Sequence, residues 1–508
     1  MTFQRPRIGI IGAGPSGIAC GHELLEQGFT NFTLLEALDA PGGTWQVQSY
    51  PGLACDVWAH SYSFSYAPNP DWSANFVERA EIQAYLAKCW ADFGLKPHTR
   101  FNTSVASAHW QDESYWLVRT ATGETFEFDV LVNAMGNQHT PLYPDVPGRD
   151  RFRGPSWHAA RWDHDVDLTG KRVAVVGSAA SAVQIVPEVA KVARHLTVLQ
   201  RSANWIVPRH RKLYSGAQRW RFRQFPWLIG LTRRIQGFLM GQVQYAATIG
   251  HPRMRHFEWF ALRYLERAID DPVLRAQLTP DTRYACKRGL VSDDFYPALT
   301  RDNVELVASA LQEVTDDGLI TADNRHIELD AIVYCTGYRI LDLDRIDVVG
   351  TTGQSIAEAM GDAPKAYKGI ATPGFPNYFF AVGPNGLVLD VPYFKTAERN
   401  VKTIVGLLQQ MRTAGITAID VRQSTTDAYF TWMSTQFPRF SWGSRDCHSY
   451  YTNAAGHAPF LFPGNFEQFL EFHNEIGLQD FNVIGGTETR NHQPNKGEPW
   501  IPSPARQQ

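Results

Sequence analysis

The sequence predicts an α/β fold made of two Rossmann-like dinucleotide-binding domains with a helical insertion. Two segments, residues 7–36 and residues 172–201, each show the order strand, glycine turn, helix and strand, which is typical of a βαβ unit. The length of 508 residues leaves room for both, since domains usually have roughly 100–200 residues. Two copies of one unit therefore indicate two nucleotide domains, the second inserted into the first.

The first copy contains a complete G-x-G-x-x-G at Gly12, Gly14 and Gly17, directly after an apolar strand that starts at Ile8. The first glycine permits a tight turn, the second lets the backbone approach a pyrophosphate, and the third lets helix and strand pack closely. The phosphates then lie at a helix N-terminus. Glu36, at the end of the second strand, can accept hydrogen bonds from an adenosine ribose. This context predicts a dinucleotide such as FAD or NAD.

The second copy has a different turn, which contains Gly177, Ser178, Ala179 and Ser181. Ala179 replaces the middle glycine, and its methyl group should push a pyrophosphate slightly away. Arg201 lies 24 residues after Gly177, as Glu36 lies 24 residues after Gly12. A base thus stands where the first copy has an acid, which suits the 2′-phosphate of NADP, although a solvated surface arginine would give the same sequence. Two different dinucleotides are expected.

The predicted domain boundaries follow the two copies. The first nucleotide domain comprises residues 1–145 and 329–508, the second comprises residues 146–208 and 284–328, and the helical insertion comprises residues 209–283. The segments that begin at Asp129 and Asp330 each consist of an acid, a buried strand and a small-residue turn. We expect the chain to cross between the two nucleotide domains at these segments.

The composition excludes several classes of protein. With 44% apolar and 19% charged residues, the chain is expected to be folded. Its formal net charge of −3 offers no general attraction to nucleic acid. The six cysteines form no C-x-x-C pair, which argues against a zinc site and against a disulfide reductase. The short polar start before Ile8 leaves no room for a signal peptide, so a reduced, cytoplasmic setting is expected.

Residues 209–255 contain ten Lys or Arg residues and no Asp or Glu, and aromatic residues are interleaved with them. A basic, aromatic helix can lie on a membrane surface. The alternative is an insertion whose apolar side packs on the nucleotide domains, while its arginines are solvated or guide an anionic nucleotide inward. Because no other segment of the chain suggests membrane binding, an insertion packed on the nucleotide domains is expected. The protein is expected to be a monomer or a weak dimer.

Two longer motifs identify a family. Residues 152–163 match F-x-G-x-x-x-H-x-x-x-W-D, with His158 and Trp162 at its marked positions. The pattern G-G-x-W-x-x-x-x-Y-P-G-x-x-x-D is met by Gly42, Gly43, Trp45, Tyr50, Pro51, Gly52 and Asp56. Over nearly its whole length the chain resembles class B flavoprotein monooxygenases of the Baeyer-Villiger type. The resemblance implies FAD and NADPH as cofactors, and a ketone and dioxygen as substrates. It also implies insertion of one oxygen atom beside the carbonyl through a peroxyflavin, which yields an ester or lactone.

The same resemblance implies three catalytic residues: Arg288, Asp56 and His158. Arg288 lies in residues 286–296, a segment similar to the one that carries the family's active-site arginine, and Asp56 would pair with it. A permanent cation is required because a peroxyflavin must stay deprotonated to attack a ketone. His158 is expected to act as a hinge or to orient a cofactor.

The resemblance also implies further cofactor contacts. Around the flavin these are Gly43, Thr44, Trp45, Asp56 and Tyr62, and around NADP they are Ser178, Ser181, Ser202 and Lys287. Trp442 falls in a segment similar to the loop that closes over NADP in the family. Without the family, the pair Lys287-Arg288 would by default be solvated, and the segment around Trp45 would be a glycine-rich turn with a buried tryptophan.

Two other functions stay open at this point. A related flavin monooxygenase would oxygenate an amine nitrogen or a sulfide sulfur, which needs a protonated hydroperoxide rather than an anion. Arg288 argues against this function without excluding it. A flavoprotein or NADPH-binding module without turnover is suggested only by Ala179 in the second glycine turn. The sequence does not identify the ketone.

Overall fold

A computed structural model describes residues 5–447, 449–453 and 457–484. The predicted end of the first nucleotide domain, residues 485–508, lies outside the described residues. The strands are β1 (Ile8–Ile11), β2 (Phe32–Leu35), β3 (Thr99–Arg100), β4 (Val105–Gln111), β5 (Tyr115–Thr120), β6 (Thr125–Phe128), β7 (Val130–Asn133), β8 (Ser156–His158), β9 (Arg172–Val176), β10 (His195–Leu199), β11 (Ile206–Val207), β12 (Leu290–Val291), β13 (Val304–Val307), β14 (Leu311–Val314), β15 (Gly318–Thr321), β16 (His326–Glu328), β17 (Ala331–Tyr334), β18 (Asp347–Val349), β19 (Tyr378–Phe380), β20 (Ala418–Val421) and β21 (Phe481–Ile484).

The helices are α1 (Pro15–Glu26), α2 (Thr44–Val47), α3 (Arg79–Asp92), α4 (Ala182–Val189), α5 (Gly216–Gln224), α6 (Trp227–Ala247), α7 (Pro252–Ala268), α8 (Pro272–Leu278), α9 (Phe295–Leu299), α10 (Ile356–Met360), α11 (Tyr393–Ala414), α12 (Gln423–Gln436) and α13 (Phe466–Asn474). In each of the two βαβ units, one helix stands between two strands: α1 between β1 and β2, and α4 between β9 and β10.

Two parallel sheets of five strands confirm the predicted pair of Rossmann-like domains. The first sheet has the strand order β19-β7-β1-β2-β3, and the second has the order β13-β10-β9-β17-β8. Every strand pair in the two sheets is parallel. Helix α1 covers the first sheet and packs against α11. The apolar runs of β1 and β9 are buried almost completely, as expected for strands with both faces covered.

The same ion pair locks the central strand of each sheet. In the first sheet, Arg7 precedes β1, and its Nη2 and backbone N–H both donate to the Asp129 carboxylate at 2.7 Å. In the second sheet, Arg172 at the start of β9 contacts Asp330 in the same way, at 2.9 Å from Nη2 and 2.7 Å from the backbone N–H. The internal repeat therefore extends beyond the glycine turns to the opposite ends of the strands.

One predicted domain boundary, at residue 329, is wrong. The chain was expected to return to the first nucleotide domain at residue 329, but β17 pairs with β9 and β8 in the second sheet. The second domain must therefore extend at least to Tyr334. The ion pair between Asp330, directly before β17, and Arg172, at the start of β9, holds β17 in the second sheet.

The helical insertion contains α5 to α8, but its apolar side does not all pack inward as expected. On α6, Trp227, Leu231 and Phe238 are 65%, 47% and 67% exposed, while Gln236 and Gln244 are buried. No helix in the described ranges combines the length and apolar character that crossing a bilayer requires.

A disulfide joins Cys286 to Cys447, which the expectation of a reduced setting did not include. The partners are 161 residues apart, so no short motif announces the pair. The bond ties the segment that precedes Arg288 to the C-terminal part of the chain. Cys20, Cys55, Cys89 and Cys335 are buried free thiols.

We expect the Cys447→Ser substitution to lower the apparent melting temperature, because opening so long a loop in the unfolded chain removes roughly 2–5 kcal/mol of stabilisation. Cys89→Ser, at a buried free thiol, is the matched control. Peptide mapping by mass spectrometry without reductant should recover the Cys286 and Cys447 peptides as one linked species. Separate peptides with free thiols, together with an unchanged melting temperature in Cys447→Ser, would contradict the bond.

Candidate active site

The carboxyl ends of both parallel sheets open on one cleft of about 2340 Å³. The ends of β1, β2 and β7 contribute to its lining from the first sheet, and the ends of β9 and β10 contribute from the second. In open α/β sheets this edge is where ligands bind. The two glycine turns predicted from the sequence therefore face a common space.

The first turn forms a cradle whose shape depends on its glycines. Gly12 has φ +104°, and a Cβ there would lie 2.8 Å from the Ala134 carbonyl oxygen. A Cβ on Gly43 would lie 3.0 Å from the Gly14 Cα, so only a surface without side chains can form here. Gly12, Gly14 and Gly43 line the cleft, and the N-terminus of α1 begins directly after Gly14.

Gly17 acts from behind the cradle. A Cβ there would lie 1.9 Å from the Gly12 carbonyl oxygen, so a side chain would push α1 away from the turn. Gly17 does not line the cleft. Its part in cofactor binding is therefore close packing of helix against strand, as the motif predicts.

Glu36 lies at the end of β2 and lines the cleft, with only 6% of the residue exposed. One carboxylate oxygen accepts the Ala13 N–H at 2.6 Å, and the other accepts the Leu38 N–H at 2.9 Å. These bonds fix the carboxylate beside the turn. Since each carboxylate oxygen can accept more than one hydrogen bond, capacity remains for a ribose hydroxyl.

The loop after the first turn builds one wall of the cleft. Thr44 and Trp45 begin α2, and the Trp45 indole N–H donates to the Tyr62 hydroxyl at 3.2 Å. The two rings meet edge to face with centroids 5.7 Å apart. Thr44, Trp45 and Tyr62 all line the cleft, as expected for residues that contact a flat ring system.

The Y-P-G part of the motif docks on the second domain. Gln184 of α4 accepts the Tyr50 hydroxyl at 3.2 Å, and its side-chain amide donates to the Ala54 carbonyl at 2.9 Å. A Cβ on Gly52 would lie 2.5 Å from the Gln184 carbonyl oxygen, so glycine permits this close approach. These contacts fix the chain just before Asp56.

Asp56 and Arg288 form the polar centre of the cleft. The Arg288 Nη2 lies 2.5 Å from the Asp56 Oδ2, with 37% and 26% of the two side chains exposed. Asp56 raises the pKa of the Arg288 guanidinium above its ordinary value. The cation is therefore permanent at any working pH and remains open to a ligand.

The segment that carries Arg288 is held on both sides. Strand β12, just after it, pairs with β11, and the disulfide to Cys447 holds the residue at 286. Directly before the first anchor, Ala285 has φ +61°, a left-handed conformation that costs energy for a residue with a side chain. Such strain persists only where the surrounding structure fixes the backbone.

The second cradle lies across the cleft from the first. Gly177 has φ +111°, and a Cβ there would lie 2.5 Å from the Cys335 carbonyl oxygen, which repeats the relation of Gly12 to Ala134. Gly177, Ser178, Ala179 and Ser181 all line the cleft, and Ala179 is exposed. Asn204, which the sequence analysis missed, donates to the Ser178 carbonyl at 3.0 Å and hydroxyl at 3.1 Å.

Arg201 and Lys287 bring two cations to the same part of the cleft. The Lys287 amine donates to the Ser202 hydroxyl at 2.6 Å and to the Ala203 carbonyl at 3.1 Å. Its pKa is lowered, mainly by burial and further by Arg201. Neither cation forms an ion pair in the described part of the chain. Unpaired cations that face a cavity fit an anionic group such as a phosphate.

His158 is not on the cleft surface. It is 1% exposed, accepts the Ala160 N–H at 3.1 Å, and lies behind Tyr143 and Tyr338, which do line the cleft. Burial lowers its pKa to about 4, so the ring is neutral. His158 therefore contacts the cleft wall from behind, and its expected role as a hinge or cofactor-orienting residue stays a prediction.

Trp442 also lies away from the cleft. It is fully buried and stacks on Phe440 with ring centroids 5.2 Å apart. Trp442 does not line the cleft, so its expected contact with NADP stays a prediction. Tyr450 and Tyr451 line the cleft instead, with their rings 4.2 Å apart. Both interact electrostatically with Arg288, and burial raises their pKa values.

No sequence motif marks either tyrosine, so neither could be predicted as part of the site. The disulfide brings them near Arg288, and its partners are far apart in the chain. The lack of a C-x-x-C pair argued against a disulfide reductase, but the disulfide now provides a cysteine pair of another kind. Cys286 and Cys447 are 2% and 4% exposed and neither lines the cleft, so a dithiol substrate could not reach them.

Comparisons with known proteins identify the family of the chain. The family model for flavin-binding monooxygenase-like proteins matches residues 5–343. A Baeyer-Villiger monooxygenase from Streptomyces coelicolor is 38% identical over 489 residues, which cover 95% of this chain and 93% of that protein. One from Pseudomonas aeruginosa is 35% identical over 466 residues, which cover 90% and 88%.

A solved structure has the same fold. The oxidized steroid monooxygenase bound to NADP matches with a TM-score of 0.84 and 27% identity, over 95% of this chain and all of that one. The glycine turns, the Arg288–Asp56 pair and these relatives agree: the chain belongs to the flavin-binding monooxygenase-like family and, within it, to the Baeyer-Villiger monooxygenases.

Proposed function

We propose that the family's reaction takes place in this cleft at the Arg288–Asp56 pair, between FAD on the first glycine turn and NADPH on the second. As a Baeyer-Villiger monooxygenase, the chain inserts one oxygen atom of dioxygen beside a ketone carbonyl to give an ester or lactone. The observation that carries the assignment is the position of the ion pair, where segments of both nucleotide domains meet.

The residues present fit both cofactors. The first cradle would hold FAD through Gly12, Gly14, Glu36, Gly43, Thr44, Trp45, Asp56 and Tyr62, with Gly17 behind it. The second would hold NADPH through Gly177, Ser178, Ala179, Ser181, Arg201, Ser202 and Lys287. When bound, the flavin supplies activated oxygen and NADPH supplies hydride.

Arg288 would stabilise negative charge on the reacting oxygens. Its planar guanidinium donates several hydrogen bonds in a fixed arrangement, and such donors are most effective when they are placed before the charge develops. Asp56 holds this group in place through the ion pair. Because the guanidinium cannot deprotonate, it favours an anionic oxidant over the protonated one that amine or sulfide oxygenation needs.

The neighbourhood of Arg288 favours an apolar ketone. Tyr284 and Ala285 belong to a buried apolar cluster that continues into the cleft lining. Its cleft-lining members include Phe257, Leu387, Leu389 and Phe460. Such walls bind apolar groups and exclude water. Tyr451, at 5% exposure, closes the same region.

The proposal also covers the role of His158, the compartment and the oligomeric state. From behind Tyr143 and Tyr338, the neutral His158 ring would position the cleft wall. The enzyme would act on small-molecule ketones in the cytoplasm as a monomer or weak dimer. A count of free thiols in freshly isolated enzyme bears on the compartment, since disulfides are rare in a reducing cytosol.

We expect Arg288→Ala to bind FAD, because Gly12, Gly14 and Glu36 would hold its adenosine end independently, but to lose at least about a hundredfold in ester formation. NADPH consumption should persist, with its electrons diverted to hydrogen peroxide. Arg288→Lys should restore little, since one ammonium cannot reproduce the guanidinium geometry. The measurement is ester and peroxide formed per NADPH consumed.

The matched control for this experiment is Arg283→Ala, at an exposed arginine five residues earlier that does not line the cleft. It should retain the ester yield. A wild-type ester yield in Arg288→Ala would remove Arg288 from the active site and would favour amine or sulfide oxygenation.

If Arg201 and Lys287 bind a 2′-phosphate, the enzyme should prefer NADPH to NADH. Arg201→Glu should raise the KM for NADPH by roughly tenfold to a hundredfold through loss of a charge-assisted contact, with little change for NADH. Arg194→Glu, near the opposite end of β10, is the control. Equal use of both nucleotides by the wild type would defeat the assignment.

A further inference from the structure

Helix α6 presents an apolar face to solvent. The exposed residues follow helical spacing and are Trp227, Leu231, Ile235, Phe238 and Tyr245. From the first to the last, this face is about 27 Å long. Trp220 and Phe225, which are 53% and 45% exposed, precede it. Exposed apolar patches of this extent mark interaction sites.

The inward face of α6 is rich in amides, unlike that of an ordinary surface helix: half of its buried residues are glutamines. Gln236 accepts the Ser61 hydroxyl at 2.6 Å, and Gln244 donates to the Gly464 carbonyl at 2.9 Å, both in buried positions. Helix α6 thus buries three glutamine side chains, while most of its large apolar side chains are exposed. Folding of the chain alone gives no reason for this arrangement.

The positive charge around this face indicates which kind of surface binds to it. Residues 209–255 contain ten bases and no acid. Arg223 pairs with Asp71 and Arg211 pairs with Glu78. Four exposed arginines have no ion pair in the described ranges: Arg221, Arg234, Arg253 and Arg255. A second copy of this face would bring like charges together, whereas an anionic lipid surface would attract them.

We propose that this face of the insertion docks on the surface of a bilayer that contains anionic phospholipid, with α6 lying along the interface. Tryptophan and arginine suit this position, because their polar ends remain among headgroups while their apolar parts enter the acyl boundary. The docked helix lies on the membrane and does not cross it. This inference replaces the sequence-based expectation of no membrane contact.

The docking face adjoins the cleft. Leu239 of α6 and Phe260 of α7 are 44% and 41% exposed, and both also line the cleft. An apolar ketone dissolved in the bilayer would therefore reach the cleft without crossing bulk water. This consequence rests on the proposed function, whereas the docking itself does not.

Flotation of the FAD-loaded enzyme with vesicles tests the docking. Vesicles of phosphatidylglycerol and phosphatidylcholine should carry the wild type, and pure phosphatidylcholine should carry much less. Binding should fall at about 1 M salt, where the Debye length is about 3 Å. Trp227→Ser/Phe238→Ser should bind at least about tenfold more weakly, because both apolar anchors are lost.

Two further variants separate the causes. Arg221→Gln/Arg234→Gln should reduce the preference for phosphatidylglycerol, since each cation near the surface contributes to binding. Val192→Ser, at an exposed apolar residue of the second nucleotide domain, should bind like the wild type. Turnover of a water-soluble ketone without vesicles should be unchanged in Trp227→Ser/Phe238→Ser, so a failed docking result leaves the proposed function intact.

The proposal is overturned if wild-type enzyme does not float with phosphatidylglycerol vesicles at low salt, or if Trp227→Ser/Phe238→Ser floats equally well. Analytical ultracentrifugation then tests whether a second copy of the chain binds to this face. A wild-type dimer that Trp227→Ser/Phe238→Ser converts to monomer, without vesicle binding, would assign the face to a second copy of the chain.

Discussion

The Arg288–Asp56 ion pair can form only when four separate parts of the chain are in place. Asp56 follows a loop fixed to α4 by Gln184, and Arg288 is held between β12 and the disulfide to Cys447. Both nucleotide domains must therefore be folded and docked before the cation reaches the cleft. The charge of Arg288 is useful only in that geometry, because a solvated guanidinium stabilises a nearby anion weakly.

Much of the fold could be predicted because the repeat is local. Each glycine turn acts within about thirty residues, and Gly12 and Gly177 meet their carbonyl partners in the same way. The second domain's extra strand β17 was placed wrongly because an acid, an apolar run and a small turn fit either sheet. The Arg172–Asp330 pair decides between them, and it joins residues 158 positions apart.

The site residues that could be predicted are also those that belong to local motifs. Residues within a motif, such as Glu36, Trp45 and Arg201, line the cleft as expected. Tyr450 was missed because its position depends on a disulfide between distant segments. Asn204 is local, 26 residues after Ser178, but no motif marks it. The outward apolar face of α6 could not be predicted either, since a helical pattern shows that apolar residues share a face but not which way that face points.

The central claim is that Asp56 and Arg288 act as one unit in oxygen insertion. A double-mutant cycle with Asp56→Asn, Arg288→Ala and the combined variant tests it, with ester formed per NADPH as the measured quantity. The account predicts strong non-additivity, so that the double variant loses little more than Arg288→Ala alone. Losses that multiply independently would show that the two residues act separately, which would contradict the account.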